Sequence, residues 1–280
     1  MTNSTIENVQ IFPAQPQYER SPQCMLKWRR EQLLVSLESQ GKQPYLPALE
    51  NEQRLVESLQ NSPVGLIRID PALGEAKLKL WADACEQAEK PVFLRIPSAH
   101  QLLRRQNPFS SKLKRLFDWS IALLLLLILS PLMLGLSFVI IMRSPGPIFF
   151  TQWRVGKRGK LFRIFKFRTM TVDAEQLHHV VMGNQPGLHK CENDPRVTSL
   201  GRWMRKYSLD EFPQLFNVLR GEMSLVGPRP WALYDAVRIR PEMQHRLNAL
   251  PGITGLWQVT SRSNLRDLDA VNLGDLEYLS

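Results

Sequence analysis

The stretch from Trp119 to Met142 carries no charged residue and includes five consecutive leucines, Leu123 to Leu127. As a straight helix it would reach roughly 36 Å, enough to match the hydrocarbon core of a bilayer. A buried core helix is the alternative, and so long an uncharged run argues against it. Ser130 and Pro131 stand at its middle. Proline removes one helical hydrogen bond, which predicts a break there, and the Ser130 hydroxyl is placed to bond the carbonyl left over. Both flanks are basic. Lys112, Lys114 and Arg115 precede the run, and Arg143, Arg154, Lys157, Arg158, Lys160, Arg163, Lys166 and Arg168 follow it without an acidic residue between Arg143 and Arg168. The positive-inside rule assigns both ends to one side, which favours a re-entrant helix over 116–143. Proline also occurs in ordinary spanning helices, so the flanks alone leave a span open.

The chain around this segment reads as mixed α/β. Residues 1–25 are polar, contain prolines, lack a signal-peptide core and are expected to be disordered. Residues 26–100 predict a small accessory α/β domain. It opens on two helical patterns, MLKWRREQLLVSLES and ALENEQRLVESLQNS. VGLIRID and PVFLRIP then read as buried strands, and the helix between them places Leu73, Ala76, Leu80, Ala84 and Ala88 on one stripe. Strand, helix and strand at this spacing make a βαβ unit, and no glycine-rich loop follows its first strand to cradle a nucleotide. Residues 101–115 form a basic linker, and 144–280 hold the remaining motifs. The net charge of +10 points to anionic partners: lipid head groups, nucleic acid or phosphorylated substrates. Cys24, Cys85 and Cys191 are odd in number and lack C-x-x-C spacing, which argues against a disulfide framework and a zinc site. His178 and His179 belong to no H-E-x-x-H pattern and read as solvated loop residues.

Chemistry concentrates after the apolar run. In IFFTQWRVGKRGKLFRIFKF, Gly156 to Gly159 marks a turn between two strands, and Arg163 and Lys166 project from an otherwise apolar sequence. Such a basic surface suits anionic lipid, phosphate, or both. SLDEFPQLFNVLRG predicts a helix that starts near Ser208 to Asp210 and stops at Gly221. Asp210 and Glu211 then lie at its positive end. S-x-x-E is also a capping box, so a structural role is open to these acids. The functional role uses the same physics: a helix N-terminus keeps a carboxylate ionised and binds phosphate. Arg196, Arg202, Arg205 and Lys206 lie just upstream. An arginine cluster beside an Asp-Glu pair suits a diphosphate with a divalent metal. It suits nucleic acid less well, because no aromatic platform is interleaved with it. GPRP at 227–230 is a rigid turn presenting Arg229, and PGITGLWQV at 251–259 is a second glycine- and proline-framed segment ending near Trp257 and Gln258.

Taken together, KRLFDWSIALLLLLILSP, IFFTQWRVGKRGKLFRIFKFRTM, DPRVTSLGRWMRKYSLDEFPQLFNVLRGEMSLVGPRP and PGITGLWQV resemble, in order and spacing, the bacterial sugar transferase family. These are monotopic polyprenyl-phosphate phosphoglycosyl transferases. The resemblance implies a helix-rich monotopic core over 144–280, a membrane helix broken at Ser130 and Pro131, and a catalytic domain on the cytoplasmic face of the inner membrane. It implies Asp210 as nucleophile, Glu211 as its partner acid and tentative Mg²⁺ ligand, and Arg205, Arg229, Lys166, Arg168 and Arg196 as phosphate-binding residues, with Asp194 and Gln258 in a secondary rank. The implied substrates are a nucleotide diphosphate sugar, a UDP-sugar foremost, and a polyprenyl phosphate, in exopolysaccharide synthesis and without nucleic acid. Oligomeric state stays open. Family members continue past D-x-x-Y, here DLEY, so a truncated C-terminus is expected at Ser280. The N-terminal part resembles extensions on cyanobacterial exopolysaccharide and heterocyst-envelope transferases. Two rival functions remain: a membrane-tethered binding protein for anionic lipid or nucleic acid, and a transferase fold turned regulator.

Overall fold

The computed structural model describes residues 24–37, 51–96, 108–174, 194–238 and 241–255. Expectations placed on residues 1–23, His178, His179, Cys191, Gln258 and the C-terminus lie outside them.

The N-terminal sheet has the order β1 (Cys24–Arg29), β2 (Gln32–Leu37), β3 (Leu66–Ile69), β4 (Val92–Leu94). The first expected helix is therefore a β-hairpin, and order begins within the segment expected to be disordered. Arg30, at φ 56°, turns the chain between Arg29 and Gln32. Leu33 and Val35 then alternate inward, which is the period of a strand. A short apolar run fits either period, and here the parallel pairing of β2 with β3 decides the outcome. The second expected helix is α1 (Glu52–Gln60), capped by the Asn51 side chain. The βαβ crossover is borne out: α2 (Glu75–Gln87) joins the parallel strands β3 and β4. Of the expected stripe Leu73, Ala84 and Ala88 are buried, but Ala76 and Leu80 are exposed. Leu78, Trp81, Ala82 and Cys85 point inward, whereas Leu80 is 40% exposed. Trp81 carries the largest apolar surface of that helix, and its burial selects the rotation. Burial pushes the Cys85 thiol up to about 12, so it is an inert core residue.

Beyond this unit, helix α3 runs unbroken from Pro108 to Arg143, so the later part of the expected basic linker is helical. It is one helix long and apolar enough to cross a membrane. The helix continues through Ser130 and Pro131 rather than stopping there. Ser130 Oγ donates to the Leu127 carbonyl at 2.9 Å, the carbonyl whose usual partner would be the missing Pro131 N–H. One stripe of α3 packs on the rest of the protein: Ala122, Met133, Leu136 and Ile140 are buried. Leu123, Leu124, Leu127, Ile128, Leu134, Phe138 and Met142 are exposed.

After α3, β5 (Phe149–Val155) and β6 (Leu161–Phe167) form the expected hairpin around Gly156 to Gly159, and β8 (Trp231–Ala232) adds to β5. Between them in sequence come α4 (Ser199–Lys206), α5 (Gln214–Leu219) and β7 (Ser224–Val226). The chain continues through α6 (Leu233–Ala236) to β9 (Gly252–Thr254), which pairs in parallel with β7. The N-terminal unit packs directly on the rest of the chain. Its core residues Val92, Leu94 and Ile96 share one apolar cluster with Trp153, Val155, Leu161 and Trp231.

Candidate active site

The site is built around the end of β6. Thr169 follows that strand, and its carbonyl accepts from Thr198 N at 3.0 Å and from Thr198 Oγ1 at 3.2 Å. Thr198 also caps α4 by accepting from Gly201 N. A Cβ on Gly201 would collide with the Thr169 backbone, so only glycine lets α4 lie this close. The close packing carries Arg205 back to Thr169, where its Nε donates to Oγ1 at 3.0 Å.

Ser208 then takes the left-handed conformation at φ 57° and reverses the chain. The acids do not open an α-helix. Asp210 and Glu211 lie on a 3₁₀ turn, Leu209–Glu211, and α5 starts only after Pro213. Proline has no N–H to donate to the Leu209 carbonyl, and Phe212 N bonds that carbonyl in the tighter 3₁₀ manner. The expected capping box is absent too, since the Ser208 side chain makes no capping bond to the turn. What fixes the turn is Asn217 on α5. Its Oδ1 accepts from Phe165 N at 3.0 Å, and its Nδ2 donates to the Arg163 carbonyl at 2.7 Å. A buried amide thus pairs with β6 as a strand edge would.

The result is a compact charge constellation. Lys166 Nζ lies 2.8 Å from Glu211 Oε1. Asp210 is 8% exposed. Burial holds its carboxyl above the ordinary carboxylate range; Lys166 and Arg205 pull it down, and Glu211 pushes it up. The expectation that a helix end keeps this acid ionised is therefore corrected: two cations favour the charged form against burial. Desolvation lowers the pKa of Arg205, and Asp210 and Asp194 counteract it.

The two proline- and glycine-framed motifs form the facing wall. Gly227 N donates to Thr254 O and Gly252 N to Pro228 O, each at 2.9 Å. A Cβ on Gly252 would run into the Gly227 backbone. This pairing aims Arg229 into an open cleft lined also by Arg154, Ile164, Lys166, Glu211, Gln214 and Ile253. Asp210 does not line the cleft; it is buried beside Glu211.

Similarity to known proteins agrees with this layout. The family model described as "Bacterial sugar transferase" matches residues 109–280. The chain belongs to the bacterial sugar transferase family. It is 43% identical over 175 residues to an undecaprenyl-phosphate galactose phosphotransferase of Salmonella typhimurium, covering 59% of this chain and 37% of that protein. A UDP-galactose-lipid carrier transferase of Erwinia amylovora is 34% identical over 249 residues, covering 85% of this chain and 51% of the relative. The exopolysaccharide production protein ExoY of Rhizobium meliloti is 37% identical over 194 residues, covering 65% of this chain and 81% of its own length. The chain thus spans about a third to a half of the longer relatives, and the Erwinia match extends into the N-terminal unit.

In this member of the family the expected phosphate ligands divide. Lys166 and Arg229 line the cleft and Arg205 stands beside Asp210. Arg168 lies elsewhere: its guanidinium donates to the Ser144 and Pro145 carbonyls and closes the C-terminal end of α3. Arg196 is buried and fully engaged, with Nε on Asp194 Oδ1 at 2.9 Å, Nη2 on Oδ2 at 2.6 Å and Nη1 on the Ala174 carbonyl at 3.1 Å. This pairing holds Asp194 below the usual carboxylate range. Arg163 does not project to lipid. It binds Asp83 at 2.8 Å and Glu86 at 2.7 Å on α2, and stacks over Trp153. Arg154 was missed as a site residue. The available signal was an arginine two residues after Gln152 on a strand that is otherwise apolar at that end.

Among the described residues no group of three or more His, Cys, Asp or Glu side chains converges on a metal site. Asp210 and Glu211 nevertheless supply hard oxygen donors beside a basic cleft. That set fits Mg²⁺, which is commonly held by one or two carboxylates with the substrate's phosphates.

Proposed function

We propose that the protein transfers a sugar 1-phosphate from a nucleotide diphosphate sugar, a UDP-sugar foremost, to a polyprenyl phosphate in the membrane. The observation that carries this reading is the buried Asp210 between Lys166 and Arg205, on a body fastened along the apolar helix α3. The names of the Salmonella and Erwinia relatives support the same class of transfer.

The reaction runs in two displacements. The Asp210 carboxylate attacks the β-phosphorus of the donor, the bond to the bridging oxygen breaks, and the electron pair leaves with the nucleoside monophosphate. The sugar phosphate is then carried on Asp210. An oxygen of the polyprenyl phosphate attacks the same phosphorus, releasing Asp210 and forming a polyprenyl diphosphate sugar. Lys166, Arg205 and Arg229 hold phosphate oxygens and oppose the charge that builds up. Glu211 orients Lys166 and is the proposed Mg²⁺ ligand. Mg²⁺, when bound, offsets charge on the diphosphate.

Membrane placement follows from how α3 is fastened. Near its start Arg115 donates to the Met223 carbonyl at 2.7 Å and Asp118 accepts from Leu225 N at 3.2 Å. Near its end Ile140 packs with Phe167 and Met204. A straight crossing would drag this same body into the hydrocarbon. In the proposed arrangement α3 therefore enters and leaves one leaflet, and the cleft opens on the cytoplasmic face, where nucleotide sugars are present.

The test uses the full chain in vesicles containing undecaprenyl phosphate, offered a panel of UDP- and GDP-sugars. Expected are nucleoside monophosphate release and a lipid-linked product, both reduced on the order of 10³-fold or more in Asp210→Asn. Undiminished release in that variant defeats the nucleophile assignment, and failure of the unaltered chain to cleave any donor defeats the enzyme reading.

A further inference from the structure

Arg154 presents an unusual combination on strand β5. It is 7% exposed, yet it carries its charge to the wall of the cleft shared with Lys166, Glu211 and Arg229. Two of its three nitrogens are fixed by the protein. Nη2 donates to Gln152 Oε1 at 2.7 Å, and Nη1 donates to the Pro230 carbonyl at 3.3 Å. Nε is buried and has no hydrogen-bond partner among the described residues. A buried cationic donor left unsatisfied is costly, and a chain keeps one at little gain unless an anion completes it. The two fixed nitrogens hold the guanidinium at the wall of the cleft before any ligand arrives.

The cations around the cleft also fall into two groups. Arg205 and Lys166 are coupled electrostatically to Asp210. Arg154 is coupled to Tyr234, Arg229, Asp235 and Glu211, and not to Asp210. A diphosphate needs two such poles, one for the phosphorus under attack and one for the phosphate that departs.

We propose that Arg154, with Arg229, binds the phosphate that leaves with the nucleoside. This rests on the proposed function. When the β-phosphorus to bridging-oxygen bond breaks, the electron pair moves onto the bridging oxygen, which becomes an oxygen of the nucleoside monophosphate. Arg154 donates hydrogen bonds throughout and transfers no proton. Sequence position gives the residue its rigidity: Trp153 and Val155 on either side are core residues, and β8 pairs directly with Arg154 through Ala232.

The test separates this role from acceptor binding. The full chain bearing Asp210→Asn, which removes turnover, is titrated in detergent with UMP, GMP and a short water-soluble prenyl phosphate. Adding Arg154→Gln is expected to weaken nucleoside monophosphate binding about 10- to 100-fold and to leave prenyl phosphate binding unchanged. Arg154→Lys keeps the buried charge without the fork, and the same selective loss is expected there, which decides the matter if the glutamine variant does not fold. A measurement on the unaltered chain is independent of folding: UMP or GMP should slow amide hydrogen exchange across 153–155. Equal loss for both ligand classes, loss confined to prenyl phosphate, or no change in affinity or exchange overturns the assignment. A chain that binds no nucleotide overturns the proposed function as well.

Discussion

Arg163 and Lys166 stand three residues apart on β6 and pair with carboxylates on opposite sides of the strand. Arg163 reaches Asp83 and Glu86 on α2, and Lys166 reaches Glu211 beside the buried Asp210. Odd spacing along a strand places side chains on opposite faces. One strand thus ties the N-terminal unit to the back of the sheet and sets the electrostatics of the cleft on the front.

Replacing Lys166 by methionine removes the main influence that lowers the Asp210 pKa. Asp210 must be ionised to attack, so the rate rises with pH through its pKa. The acidic limb of the pH–rate profile for nucleoside monophosphate release should move to higher pH in Lys166→Met. The plateau should fall on the order of 10²-fold. A limb that stays in place would mean that Lys166 does not act on Asp210.

Asp210 also predicts a pH-dependent change in stability. Its folded-state pKa is raised, so the folded protein holds this proton more tightly than the unfolded chain. The resulting stabilisation is full below the ordinary carboxylate range and is lost as pH rises through the raised pKa. Asp210→Asn removes the buried charge. Its melting temperature should exceed that of the unaltered protein at pH 8, with the gain vanishing near pH 3. Thermal melts across that range would show the opposite trend if burial were not the dominant influence.

The Arg163 contacts test the union of the two units. The three side chains are partly exposed, so each pair contributes modestly. Arg163→Ala should cost about 1 kcal/mol, and a double-mutant cycle with Asp83→Ala should recover roughly half of that as coupling. Denaturant titration supplies the numbers. Additive losses would show that the contact carries no energy.

The Asp194–Arg196 pair is buried on both sides and should behave differently. Asp194→Ala strands a charged guanidinium and should cost about 3–5 kcal/mol, whereas replacing both partners with apolar residues should cost much less. If Arg196 instead served mainly to hold substrate, Asp194→Ala would spare stability and weaken nucleotide binding.

Much of this architecture was legible because its signals are local. Gly156 to Gly159 marked the β5–β6 hairpin, the uncharged run marked α3, and two glycine-framed motifs marked the wall that presents Arg229. The errors arose where partners decide. MLKWRREQLLVSLES fits two periods, and only its pairing with β3 makes it a hairpin. Charge could be read from the sequence, but its destination could not. Arg168 went to the end of α3, Arg196 to Asp194, and Arg163 to α2, while Arg154 entered the cleft. Ser130 did bond the expected carbonyl, but by doing so it carried the helix past Pro131.

The central claim is that Asp210 takes the sugar phosphate from the donor. Its most direct test is a single-turnover incubation of the full chain with a cleavable nucleotide sugar and no polyprenyl phosphate, followed by acid quench and peptide mass spectrometry. The predicted result is one equivalent of nucleoside monophosphate per chain and a sugar-phosphate mass on the peptide containing Asp210, absent in Asp210→Asn. Release that requires the acceptor, with no adduct on that peptide, would contradict it.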